Sequence, residues 1–288
     1  MRLENRLPDE TVNYSIEHPL KEFAWLLAGV TAVVAAVAAS VGYFAGEIAA
    51  RVPFRVEKDY AAGITRHWEE QKRTSEAEEA RRALRALAAK LAAAMDLPAG
   101  MDVTVHYSDE AVVNAMATLG GNVVFFRGLI ARLESEDALA MVLAHEIAHA
   151  KLRHPAASLG RGVAVGVTLS LVSSSMGRGL AGDPVQVAGV LPLLKYGRDQ
   201  ERAADEEALR ALAAVYGHVA GARELFALFA KIGRDEALQI GLLHTHPFTS
   251  ERLARVDELA RERGWALAGR VRELPPALAR LKRAAPAE

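Results

Sequence analysis

The segment His145-Glu146-Ile147-Ala148-His149 is the part of this chain best equipped for chemistry. Two histidines four residues apart on an α-helix project from one face, close enough for both imidazoles to hold one metal ion. Glu146 is offset by one residue. That offset puts a carboxylate beside the position such a metal leaves open, where it can take a proton from water. The preceding Ala138, Ala140, Met141, Val142, Leu143 and Ala144 are apolar, which argues for a buried helix rather than a solvated charged turn. The chain has no cysteine among its 288 residues. Disulfides, thiolate metal sites and thiol nucleophiles are therefore excluded, and any metal has to be held by imidazoles and carboxylates.

Two imidazoles do not complete such a site. One class of zinc peptidase supplies a third His six residues after the second, with Gly three residues after it. Leu152 and Pro155 stand at those positions, so that class is excluded. His154 is rotated about half a turn from His145 on the same helix and is expected to cap its end. The segment Tyr196–Asp205, YGRDQERAAD, places Glu201 and Asp205 one helical turn apart on a shared face. Glu201 is a candidate third ligand. Asp205 is a candidate acceptor for the ring N–H of a ligating imidazole, which would fix its tautomer. By spacing alone, an exposed acidic face is the default reading of so many carboxylates.

The elements that must position these residues can be read from patterning. Residues 1–22 form a polar tail, and residues 23–46, FAWLLAGVTAVVAAVAASVGYFAG, run without a charged side chain. A hydrocarbon core needs about 20 such residues as helix, so 23–46 is expected to cross a bilayer once. A cleaved signal peptide is disfavoured because the preceding residues are rich in acids and the apolar run is too long. Basic residues are nearly balanced on the two sides, which leaves the orientation open. Residues 47–74 read as a polar connector. Ser75-Glu76-Ala77-Glu78 has capping-box spacing, and Leu84, Leu87, Leu91 and Met95 repeat at helical intervals. Val103, Val105 and Tyr107 alternate as in a short strand, and Asn122–Phe126 follows Gly120-Gly121 as a second. Ser135-Glu136-Asp137 sets an N-cap and acids at the start of the His145 helix. Apolar stretches at 162–177 and 184–194 are too short to span and are expected to be buried or surface-capping helices. Residues 75–264 are expected to form the catalytic domain, and 265–288 a loosely held tail. The 35 basic residues are matched by 36 acidic ones, so no electrostatic footprint for nucleic acid exists.

His145–His149 followed about fifty residues later by Glu201-Arg202-Ala203-Ala204-Asp205 resembles the HtpX and CAAX prenyl protease family of zinc metallopeptidases. Further blocks agree: Asn114-Ala115-Met116-Ala117 with Gly120-Gly121 and the strand into Arg127-Gly128-Leu129, the run His149–His154, and Thr245-His246-Pro247 with Arg252. One departure is Gly197, where the family commonly has Ser before the Arg. The resemblance covers roughly residues 70–262. It implies a mainly α fold with a small β-sheet, a gluzincin-type zincin metallopeptidase domain, which here is preceded by the one N-terminal transmembrane helix read from residues 23–46. His145, His149 and Glu201 then become ligands of one Zn2+, and Glu146 the general base. Asp205 becomes the acceptor behind an imidazole, paired with Arg252. His246 is a candidate donor to the tetrahedral oxyanion, or a residue that orders the Pro247 turn. An unpaired strand edge around Asn114, Ala115, Val123 and Val124 would bind an extended polypeptide by strand addition. His18, His67, His106, His218 and His244 are expected to be surface or packing residues.

The expectation is a membrane-anchored zinc endopeptidase. It would sit in the bilayer through residues 23–46 as a single-pass protein of a bacterial inner membrane, and act in membrane or envelope protein quality control. Its oligomeric state and the side occupied by the peptidase domain stay open. Two rivals are a tethered chaperone or adaptor that keeps the fold but cleaves little, and a non-catalytic metal-binding membrane protein.

Overall fold

The structure, a computed structural model, describes residues 19–69, 74–162, 196–232, 246 and 250–284. Residues 163–195, Thr245 and Pro247 lie outside that set, so the two short apolar stretches are described only at Gly162. Helix α1 (Pro19–Ala49) is 31 residues long and carries the charge-free run. Its side chains pack against almost nothing, and it is long and apolar enough to cross a membrane.

The residues expected to be a mere connector fold. Helix α2 (Phe54–Glu69) buries Phe54, Ala61 and Trp68 against the rest of the chain. The polar reading missed this because the face is made of residues spaced three and four apart within an otherwise charged sequence. Helix α3 (Ser75–Ala92) begins as the spacing predicts, with Thr74 rather than Ser75 as the cap: Ala77 N–H donates to Thr74 Oγ1 at 3.1 Å. Strands β1 (Thr104–Ser108), β2 (Ala115–Ala117) and β3 (Asn122–Phe126) form a three-stranded sheet in the order β1-β3-β2. β3 runs parallel to β1 and antiparallel to β2. Val123 and Val124 therefore lie in the central strand, paired on both sides and fully buried, and cannot form an open edge. Among the described residues, the edge of the sheet on this side is β2.

After the short helix α4 (Arg127–Ile130) comes α5 (Glu136–Lys151), buried on every face from Asp137 to Ala150. Ser135 Oγ caps it by accepting from Ala138 N–H at 3.0 Å, with Glu136 and Asp137 in the first turn where the helix dipole favours anions. Helices α6 (Arg198–Tyr216), α7 (Ala220–Ile232) and α8 (Ser250–Arg263) follow, and α5, α6 and α7 share one apolar core with α3 and the sheet. The last helix, α9 (Pro276–Ala284), corrects the expected loose tail. Leu274, Leu278 and Leu281 are buried in the main core, and Arg280 and Lys282 pair with Glu79 and Glu134. Three leucines at helical spacing outweigh the Pro275-Pro276 that suggested a frayed end.

Candidate active site

α5 and α6 pack side by side and bring the two candidate motifs together. His145, Glu146 and His149 project from α5 and Glu201 and Asp205 from α6, all five buried despite their polarity. Burying this many polar groups costs free energy unless each finds a partner. The exposed-face alternative for Glu201 and Asp205 is thereby removed.

The geometry converges on one point. His145 Nε2 lies 3.0 Å from His149 Nε2, and the two nitrogens lie 3.5 and 3.4 Å from the oxygens of Glu201. His246 Nδ1 is 2.9 Å from Glu201 Oε1 and 3.3 Å from His145 Nε2. One donor atom from each of His145, His149, Glu201 and His246 lies within 4.8 Å of the others. Zinc bound at 2.0–2.1 Å sets tetrahedral ligands about 3.3 Å apart, so these separations fit such an ion.

Around this donor set the other groups are tightly held. His145 Nδ1 is 3.0 Å from Asp205 Oδ1, which leaves Nε2 free to face the donor set. Arg252 grips Asp205 with two bonds of 2.8 Å and reaches Glu201 Oε2 at 2.7 Å with its remaining terminal nitrogen. Glu146 Oε2 accepts from Ala117 N–H at 2.7 Å, and Glu146 Oε1 is 3.4 Å from His246 Nε2. Burial would depress His145, but the Asp205 and Glu201 carboxylates override it and hold the imidazole up at about 10. Burial would raise Glu201, yet the His246 charge and three imidazole hydrogen bonds draw it far below the usual carboxylate range. Asp205 is likewise lowered, with the Arg252 charge overcoming burial. Burial keeps His149 well below the ordinary imidazole value, with the His145 charge working in the same direction.

Two neighbours were not singled out from the sequence as parts of the site. His154, expected to cap the helix, is instead buried with its Nδ1 2.8 Å from His149 Nδ1. Burial and the His145 charge push it down to about 4, so it is neutral and able to accept the His149 ring proton. Tyr196 stacks on His149 with ring centroids 3.9 Å apart. The turn at Leu152-Arg153, where Arg153 takes a positive φ of 64°, swings His154 back towards His149, which a straight-helix projection does not anticipate. His106 and His218 are packing residues as expected, His106 against Asn122 Oδ1 at 2.9 Å.

Of the expected substrate residues, Ala115 lies in β2 and Asn114 immediately before it. Asn114 O accepts from Phe126 N–H and Thr118 N–H donates to Asn122 O, so the even-numbered backbone faces β3. By alternation, residues 115 and 117 turn their backbone groups outward, and Ala117 N–H meets Glu146.

A buried helix with two histidines and a glutamate, packed against a second helix whose Glu201 supplies an acidic third donor, defines a zinc metallopeptidase domain. The chain belongs to peptidase family M48, whose pattern matches residues 78–260. It is 30% identical over 159 residues to a Vibrio cholerae serotype O1 protein named as a beta-barrel assembly-enhancing protease, covering 52% of this chain and 33% of that protein. It is 28% identical over 158 residues to the mitochondrial metalloendopeptidase OMA1 of Schizosaccharomyces pombe, covering 54% of this chain and 45% of the relative. The chain thus spans less than half the length of either relative. Family M48 is zinc-dependent, and the buried His145, His149, Glu201 and His246 group suits that ion.

Proposed function

We infer that this chain is a membrane-anchored zinc endopeptidase that draws an extended polypeptide along β2. The observation that carries this reading is the 2.7 Å hydrogen bond from Ala117 N–H to Glu146, which sets the candidate base against the strand that forms the sheet edge on that side among the described residues. His145, His149 and Glu201 hold the metal in this reading. Zinc bound there supplies a Lewis acid for the scissile carbonyl and acidifies the attacking water. Glu146 takes the proton of that water and passes it to the leaving amine. Asp205 fixes His145 with its proton on Nδ1, and Arg252 neutralises Asp205 and Glu201. A catalytic site needs three protein ligands and one open position. His246 would then serve as a donor to the substrate oxyanion rather than as a fourth ligand. Ala115 offers its outward N–H and carbonyl to the substrate strand and Ala117 its carbonyl, its N–H being held by Glu146, and the buried Asn114 Oδ1 has no partner among the described residues.

The anchor is α1, through residues 23–46, and the domain organisation is tail, anchor, α2, and peptidase domain. A single-pass placement in a bacterial inner membrane and a role in membrane or envelope protein quality control belong to this proposal. So does the finer placement beside the HtpX and CAAX prenyl proteases, which rests on the blocks at Asn114–Ala117 and around His246. Cleavage of casein by the purified protein, abolished by a chelator, restored by zinc and absent in Glu146→Gln, tests the reading. Chelator-insensitive binding of unfolded casein without cleavage would favour the tethered chaperone instead.

A further inference from the structure

α2 presents two faces with different fates. Phe54, Glu57, Ala61, Thr65 and Trp68 are buried, whereas Val56 and Tyr60, one turn apart on the other side, are 54% and 66% exposed. Arg55, Asp59 and Arg66 flank this outward stripe, and Lys58 pairs with Asp102. An apolar pair on an otherwise charged surface is ordinary by itself. What sets this one apart is where the chain comes from.

Only residues 50–53 separate α2 from the end of α1, whose apolar side chains are exposed along its length. That end is clamped to the peptidase domain. A Cβ on Gly160, in the helical stretch after the zinc-site helix, would lie 2.6 Å from Ala45 O and 2.7 Å from Ala49 Cβ, so the two helices meet where only glycine fits. Arg153 Nε donates to Ala50 O at 3.1 Å, its guanidinium covers the Phe54 ring at 3.9 Å, and its other end lies 2.9 Å from Glu57 Oε1. The membrane exit and the start of α2 are thereby one rigid corner.

We propose that α2 lies along the membrane surface, with Val56 and Tyr60 seated in the lipid interface at the foot of α1. This rests on the reading of α1 as the membrane anchor. Tyrosine suits that zone because its ring enters the apolar boundary while its hydroxyl stays wet. Arginines 55 and 66 flank the stripe at headgroup level, where long side chains can extend towards the lipid phosphates. The inward face of the same helix holds the sheet. Glu57 Oε2 accepts from Gly120 N–H at 2.9 Å, and a Cβ on Gly120 would lie 2.9 Å from the Lys58 backbone. Gly120 belongs to the turn that joins β2 to β3. The substrate edge is thus held about one helix diameter, roughly 10 Å, from the lipid. That height suits extended segments of polypeptides that themselves lie at the bilayer.

The chain has no cysteine, so single nitroxide labels can be placed cleanly. The full-length protein in phospholipid nanodiscs would be labelled at Val56→Cys, Tyr60→Cys, Val33→Cys in α1 and the exposed Arg82→Cys in α3. Collision rates with oxygen, which concentrates in lipid, and with a water-soluble nickel chelate would then be compared. The expected result is an oxygen-to-nickel ratio at 56 and 60 several-fold above that at 82 and on the side of 33. Ratios at 56 and 60 equal to that at 82, with 33 in lipid, would overturn the proposal and leave the anchor standing. Shielding of 56 and 60 from both reagents would overturn it in favour of a protein partner. A water-like ratio at 33 would remove the anchor and the proposal together.

Discussion

Asp205→Asn isolates what the buried carboxylate does, because it removes the charge and replaces one acceptor oxygen with an NH2 donor while keeping shape. Asp205 Oδ1 faces both His145 Nδ1 and one Arg252 terminal nitrogen, and Oδ2 faces Arg252 Nε. An asparagine has one acceptor to offer. If its carbonyl takes the Oδ1 place, its NH2 confronts Arg252 Nε–H and a charged hydrogen bond worth about 1.5–3 kcal/mol is lost. If its NH2 takes that place, His145 has to carry its proton on Nε2, the nitrogen that faces the donor set. Either arrangement weakens metal binding without deleting a ligand, by about 10–100-fold, or roughly 1.4–2.7 kcal/mol. Breaking a buried ion pair typically costs about 3–5 kcal/mol, but Arg252 keeps Glu201 at 2.7 Å, which places the loss in the zinc-free protein near the lower end. Competition for zinc against a chromogenic chelator reads the first quantity, and chemical denaturation in excess chelator reads the second. Arg252→Ala should give a similar, smaller loss of zinc affinity. The double variant should fall short of the sum, because the two side chains act as one unit. Unchanged zinc affinity together with an unchanged denaturation midpoint in Asp205→Asn would refute the reasoning.

Glu146→Gln should retain zinc, measured by metal analysis, while peptide cleavage falls by about 100-fold or more, since it removes a proton acceptor and no ligand. Glu201→Ala should lose zinc as well as turnover, and normal metal content in that variant would move the third ligand elsewhere. Gly120→Ala should lower stability to denaturant by about 2 kcal/mol, because Gly120 has φ +70° and its new methyl would meet the Lys58 backbone. Leu278→Ala should cost about 2–5 kcal/mol of stability to denaturant, because Leu278 is buried in the main core, and an unchanged denaturation midpoint would overturn that placement of α9.

The residues whose chemistry is local were legible before the fold was. His145, Glu146 and His149 share one helix, so their juxtaposition follows from its period, and Glu201 and Asp205 follow from a second. The pairing with Arg252 came from resemblance alone, since no periodicity joins residues 47 apart. Sheet order was not legible. Val123 and Val124 enter as an edge through the resemblance alone, and which strand is central depends on β1 pairing in parallel with β3 past the intervening β2 segment. The helices within 47–74 and after Leu274 were hidden for another reason. α2 and α9 each bury only a narrow stripe, so charge dominates their composition and hides their packing.

The hydrogen bond between β2 and Glu146 joins two functions that a motif keeps separate. A free carboxylate one residue beyond a ligating histidine can adopt several rotamers, most of them useless for taking a proton from water beside the metal. Ala117 N–H selects one of them by holding Oε2, and leaves Oε1 facing His246. A substrate strand laid on β2 would use the outward N–H and carbonyl of Ala115 and the carbonyl of Ala117, whose N–H holds Glu146, so the strand that sets its register also aims the base. β2 in turn is fixed by Gly120, whose N–H is held by Glu57 on α2. Orientation of the base is therefore determined three contacts away from the zinc-site helix, through a helix that lies outside the matched family region of 78–260.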